Sequence, residues 1–218
     1  RGAPGHRRHR GLELGSNTFV SPKTTDAFGG GLFRGENFLI FGGEYGYLYN
    51  PKQLRFLLKD NISESLVELP PTTHSSIIGW AYDGHPIYGP YGYQDPENKL
   101  PFNAYKRIRS SYRVKTSRDA ILNGLTDPLG TYLEDYEYVE GLGDLDRYNG
   151  RYCVTPEYPD GVYAYFSTIT GTTGIPAFPY FVGPQFYGEA DAVNWNGNGL
   201  QRNFTEDAIR YRAPFIGV

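Results

Sequence analysis

Asp83 and His85 flank one glycine in the run IGWAYDGHPIYGPYGY, residues 78–93. A carboxylate and an imidazole at this spacing are a pair that could ligate a metal or pass a proton. His74 stands nine residues before Asp83, and the chain has only four histidines. A metal centre takes three or four protein ligands, so Asp83 and His85 need distant partners to complete one. The competing reading is a turn. Asp83 accepts from nearby backbone N–H groups, Gly84 supplies a positive φ, and His85 meets a tyrosine hydroxyl at the turn's edge. Pro86 and Gly89 then belong to the same structural corner.

The tyrosines offer a second chemistry. Tyr88, Tyr91 and Tyr93 are interleaved with Gly89, Pro90 and Gly92. Rings presented together could pave a sugar-binding platform, with hydroxyls bonding outward. The alternative is a tyrosine-lined edge of the core. Nucleophilic catalysis finds less support. Cys153, the single cysteine, lies in Tyr152-Cys153-Val154, which reads as a strand, so it is expected to be an inert core thiol. No Gly-x-Ser-x-Gly elbow occurs. The acids Glu134, Asp135, Glu137 and Glu140 read as a solvated face or loop. Gly29-Gly30-Gly31 and Gly42-Gly43 lack the Lys-Ser/Thr pair of a phosphate loop.

These residues must be positioned by short strands and many turns. Residues 75–82 read as a strand running into the Asp83-Gly84 turn, and Pro86-Ile87-Tyr88 returns from it. Residues 162–169, VYAYFSTI, form the cleanest strand. Its alternation puts Tyr163, Tyr165 and Ser167 on one face and Val162, Ala164, Phe166 and Thr168 on the other. Val162, Ala164 and Phe166 are expected to face the core beside Ile78 and Trp80. Residues 37–41 and 45–49 read as further strands. Residues 54–58, LRFLL, read as a strand in competition with a helix opened by Asn50 and Pro51. Short helices are expected over 117–124 and 204–210.

Two segments then resemble a known family. The first is Ile77-Ile78-Gly79-Trp80-Ala81-Tyr82-Asp83-Gly84-His85-Pro86-Ile87-Tyr88-Gly89. The second runs Leu145-Asp146-Arg147-Tyr148-Asn149-Gly150-Arg151, then Val154-Thr155-Pro156-Glu157 and Gly161-Val162-Tyr163-Ala164-Tyr165-Phe166. Over roughly residues 74–185 the order and wording resemble the YHYH family, named for a Tyr-His-Tyr-His tetrapeptide on a strand. The resemblance marks Asn149, Gly150, Arg151, Tyr163 and Tyr165 as motif residues. It also brings a departure: Tyr163-Ala164-Tyr165-Phe166 stands where Tyr-His-Tyr-His is expected, so no role of those imidazoles carries over. The family includes secreted or surface proteins of bacteria and large structural proteins of tailed phages, notably those of marine cyanobacteria.

Composition narrows the class. Twenty Tyr against 13 Phe and 2 Trp, with 28 Gly and 16 Pro, describe a turn-rich folded domain rather than disorder. A net charge of −3 argues against a dominant nucleic-acid surface. The first ten residues hold four Arg and no acid, and read as a flexible basic arm over residues 1–16. No hydrophobic run reaches the roughly 18 residues of a membrane span. The absence of methionine suggests a piece of a longer polypeptide.

The expectation is therefore one mainly β domain over residues 17–218, sandwich-like or an irregular barrel, with a few short helices and long loops. The expected function is non-enzymatic: a structural or surface-binding module of a phage virion protein, of tail or baseplate type. Its partners would be other virion proteins, a host-surface glycan or further copies in a homo-oligomer, and no cofactor is expected. Two alternatives stay open. One is a secreted or cell-surface enzyme or metal-binding domain holding a divalent metal through Asp83 and His85. The other is a carbohydrate-binding module using Tyr88, Tyr91 and Tyr93.

Overall fold

The structure is a computed structural model describing residues 30–33, 44–47, 49–99, 104–118 and 128–189. The expected basic arm, the strand over 37–41, the helix over 204–210 and all but the first two residues of the helix over 117–124 lie outside these.

The described chain is mainly β. Strands β1 (Gly30–Phe33) and β2 (Glu44–Tyr47) pair antiparallel. One α-helix, α1 (Lys52–Leu57), follows. Then come β3 (Ile77–Trp80), β4 (Pro86–Tyr88), β5 (Tyr91–Tyr93), β6 (Tyr105–Arg107), β7 (Tyr112–Val114) and β8 (Tyr136–Tyr138). The last are β9 (Gly150–Cys153), β10 (Val162–Phe166), β11 (Ile169–Thr170) and β12 (Ile175–Pro176). The largest sheet has four strands in the order β3-β4-β10-β9. Its central pair, β4 and β10, is parallel, and both outer strands run antiparallel to their neighbours. The pairs β5-β6, β7-β8 and β11-β12 form two-stranded ribbons, and no barrel closes among the described residues.

The alternation read along β10 has a consequence beyond one core face. Ala164 and Phe166 are fully buried, packed with Tyr88, Ile108, Leu145 and Cys153. Tyr163 and Tyr165 on the other face are buried as well. A strand at the centre of a sheet is covered on both faces, as expected around a parallel pairing. Cys153 lies in the core, where burial pushes its thiol up and away from the reactive thiolate. A second cluster gathers around Phe178 and Tyr180, with Tyr112 and Tyr136 packed against it.

Two expectations are corrected. Trp80 does not join the core: it is 58% exposed at the end of the outer strand β3, whereas Ile78 is buried at a register shift between Ile77 and Gly79. Residues 54–58 are not a strand. The Arg55 N–H donates to the Pro51 carbonyl at 3.0 Å and opens α1. Lys59 stops it at φ 58°, with Lys59 N–H donating to Phe56 O and Asp60 N–H to Arg55 O, a Schellman closure. The helix inverts the usual rule, exposing Phe56, Leu57 and Leu58 while Arg55 is 0% exposed.

Arg55 can be buried because every side of its guanidinium meets an acceptor. Nε donates to Asp60 at 2.7 Å, and one terminal nitrogen donates to Asn50 at 2.9 Å and Glu68 at 2.7 Å. The other reaches the second Glu68 oxygen at 3.0 Å. Tyr91 donates its hydroxyl to Glu68, and Ser75 donates to Asp60. This fork fixes the corner that carries β3 and β5.

Candidate functional site

The motif face of β10 is built from its two tyrosines, and each finds an aspartate. Tyr165 donates its hydroxyl to Asp83 Oδ2 at 2.6 Å and accepts from the Tyr187 N–H at 2.7 Å. Asp83 Oδ2 also accepts from the Gly188 N–H at 3.0 Å. Tyr163 donates to both oxygens of Asp146, at 2.9 and 3.0 Å. Asp146 accepts in turn from the Tyr148 and Gly150 N–H groups. Burial comes first in raising both phenols, and the neighbouring aspartates push the same way. They are therefore neutral donors at any working pH.

His85 stands over this pair. One residue before β4, it lies two positions from Ile87, which pairs with Tyr165. Its ring is edge-on to Tyr163 at 5.2 Å and to Tyr187 at 5.5 Å. Tyr187 stacks on Tyr163 with centroids 3.6 Å apart and planes 9° apart, yet remains 51% exposed. Asp83 and His85 thus come together with Tyr165. They supply two of the three or four protein ligands a metal site takes. Among the described residues no group of three His, Cys, Asp or Glu side chains is arranged to hold a metal ion.

The corner has the expected backbone. Gly84 lies at φ 81°, and an added Cβ would meet nothing within 4 Å. Strain at Gly84→Ala is thus conformational, not steric. We expect a loss of roughly 1 kcal/mol or more, measured by chemical denaturation; a neutral variant would show that the turn relaxes freely.

The motif residues of the second segment are structural in their contacts. Asn149 is buried at φ 63°, and its amide donates to the Phe166 and Phe181 carbonyls. That tie joins the β9 turn to β10 and to the segment after β12. A Cβ at Gly150 would run into the Tyr163 phenol, and one at Gly89 would sit 2.7 Å from Asp60 Oδ2. Arg151 donates to the Tyr93 carbonyl at 2.7 Å, with its guanidinium over the Phe166 ring.

The three tyrosines read as a sugar platform are placed differently. Tyr88 is fully buried, donating its hydroxyl to Glu157 and accepting from the Thr155 hydroxyl, and Tyr91 is buried against Glu68 and Arg55. Tyr93 is half-buried and stacks on Tyr105. A stacking platform needs free ring faces, and the first two rings have none. Their hydroxyls found acceptors far away in sequence, which local spacing cannot reveal.

Sequence reasoning did not single out Asp146 or Tyr187, although Asp146 lies inside a quoted motif run. Nor did it place His74 in the core. His74 is buried beside Tyr88, Tyr93 and Phe166, with Nδ1 2.8 Å from the Ser75 carbonyl and Nε2 lacking a partner among the described residues. Burial lowers its pKa and keeps the ring neutral.

No curated protein and no solved structure matches the chain. The family whose positions carry this arrangement does. The strand that resembles the motif's tetrapeptide is β10; its tyrosines line the Asp83–His85 face, and Ala164 and Phe166 lie on the core side. The model of the YHYH protein family matches residues 39–178, more than half of the chain, and the protein belongs to that family.

Proposed function

We propose that this YHYH domain is a non-enzymatic structural or surface-binding module of a larger virion protein, of tail or baseplate type. The observation that carries the reading is how the chemistry-bearing side chains of the motif face are used. Asp83 and Asp146 are each held by a buried tyrosine hydroxyl and by backbone N–H groups. Tyr163 and Tyr165 serve as ties between β10 and the turns above it, since their raised pKa values suit donors, not bases. The family resemblance, which takes in structural proteins of tailed phages as well as secreted bacterial proteins, supports the virion context; a secreted or cell-surface setting is the alternative. The parent reading frame discriminates between them: adjoining tail or baseplate genes support the virion, and a signal peptide would overturn it.

Metal analysis of the protein, purified without chelators, tests the non-enzymatic half. No stoichiometric zinc, calcium or iron is expected. His85→Gln keeps the size and hydrogen bonding of the side chain, so its stability should stay within about 0.5 kcal/mol of the parent. Stoichiometric metal that disappears in His85→Gln would instead support the Asp83–His85 metal-binding alternative.

A further inference from the structure

Two surface cavities lie on either side of one contact. The larger, about 450 Å³, and the smaller, about 400 Å³, share Arg107 and Gly171 in their walls, and Arg107 donates to the Gly171 carbonyl. Each falls within the roughly 300–1,000 Å³ of small-ligand sites. Side by side they offer an elongated site rather than a single closed pocket.

The larger cavity is lined by Arg107, Arg109 and Arg113. Three guanidinium groups in one wall stand out in a chain of net charge −3. Among the described residues each makes one hydrogen bond: Arg107 to Gly171, Arg109 to Asp144 at 3.5 Å, and Arg113 to Glu137 at 2.8 Å. A guanidinium has five N–H donors, so each retains several for a ligand. Planar forks of this kind match a carboxylate or phosphate with two parallel bonds.

The rest of the lining favours rings. Tyr112, Tyr136 and Pro176 line the larger cavity, and Leu69, Pro70 and Pro71 line the smaller. Flat apolar walls beside cationic forks suit a sugar ring, whose C–H face packs while its acid is bonded. Charge density points the same way. Lys106 and Arg109 share Asp144, and Arg113 holds Glu137. Of the charged side chains that line the two cavities, Arg107, Arg109 and Arg113 are cations and Glu68, already held by Arg55, is the anion. That modest surplus fits a chain with spaced single charges better than a nucleic acid or a heavily sulfated polymer.

We infer that the paired cavity binds a carboxylated polysaccharide, a chain of uronate-type sugars crossing over Arg107. The inference rests on the surface-binding half of the proposed function and names the class of glycan. It moves carbohydrate recognition away from Tyr88, Tyr91 and Tyr93.

The test is calorimetric titration of the purified domain at physiological salt with oligomers from polygalacturonate and alginate. Neutral maltooligosaccharides, heparin and single-stranded DNA are the comparisons. The expected result is binding of the uronate oligomers only, weakened about tenfold by Arg107→Gln, as for loss of a charge-assisted hydrogen bond. Arg109→Gln, at a more exposed position, should weaken binding with an unchanged melting temperature. It also serves as the probe should Arg107→Gln fail to fold. Absence of uronate binding would overturn the inference, as would equal binding of heparin or DNA that salt abolishes. A domain found in purified particles but blind to uronates would leave the module reading standing without this ligand. Shortening of the oligomers during titration would do the reverse, supporting the site and removing the non-enzymatic reading.

Discussion

Arg55→Leu is expected to cost about 3–5 kcal/mol of stability, the usual consequence of removing one partner from a buried ion pair. At about 2–4 °C per kcal/mol for a chain of this size, the melting midpoint should fall by roughly 6–20 °C. The argument lies in what the variant leaves behind. Asp60 and Glu68 are both buried, and Arg55 is the cation that faces them at 2.7 Å each. Leucine fills part of the space and answers neither carboxylate. Asn50 and Tyr91 would keep their bonds to Glu68, which holds the carboxylate in place without neutralising it. Arg55→Lys should fall between parent and leucine variant, keeping the charge but losing the fork. Chemical denaturation monitored by tyrosine fluorescence measures all three. A leucine variant within about 1 kcal/mol of the parent would mean that the carboxylates can escape to water.

Phe166→Ala is the second large effect, at about 3–5 kcal/mol. The ring is fully buried, stacks on Tyr88 with centroids 5.8 Å apart, and lies under the Arg151 guanidinium at 5.3 Å. Removing it opens a cavity next to the parallel pairing, where Phe166 sits opposite Tyr88. Close backbone pairing on both sides of β10 limits how far the walls can collapse. Equilibrium urea denaturation should show the midpoint falling with little change in slope. A loss below about 1 kcal/mol would show that neighbouring rings refill the space.

Much of this architecture was legible where local rules dominate. The alternation in residues 162–169 placed β10 and its inward Phe166, and Asp83-Gly84 announced a turn that needs positive φ. The motif wording marked the family over roughly residues 74–185, and the family match covers residues 39–178, starting and ending earlier. What stayed hidden depends on partners distant in sequence. The LRFLL run has the composition of a strand, but a charged residue within it is buried by acceptors 5 and 13 positions away. Tyr88 and Tyr91 looked superficial among glycines and prolines, yet Thr155, Glu157 and Glu68 draw their hydroxyls inward. Trp80 misled in the opposite sense, because hydrophobicity does not say which end of an outer strand projects past the sheet. At the motif face Asp83, His85 and Tyr165 were each noticed, while their meeting with Tyr187 depended on a Gly- and Pro-rich segment without periodicity.

The parallel pairing of β4 with β10 also sets a schedule for the growing chain. β3 and β4 can form their hairpin soon after Tyr88 leaves the ribosome, because only the Asp83-Gly84 turn separates them. The other edge of β4 must wait until Val162–Phe166 has been made. At ordinary synthesis rates of roughly 5–20 residues per second, that delay is on the order of 4–15 s. For that time an apolar strand edge is open to any passing chain. Pro86, the first residue of β4, has no N–H to offer a stray strand. The same proline that makes the corner rigid in the finished protein thus guards an unfinished edge while the rest of the domain is being translated.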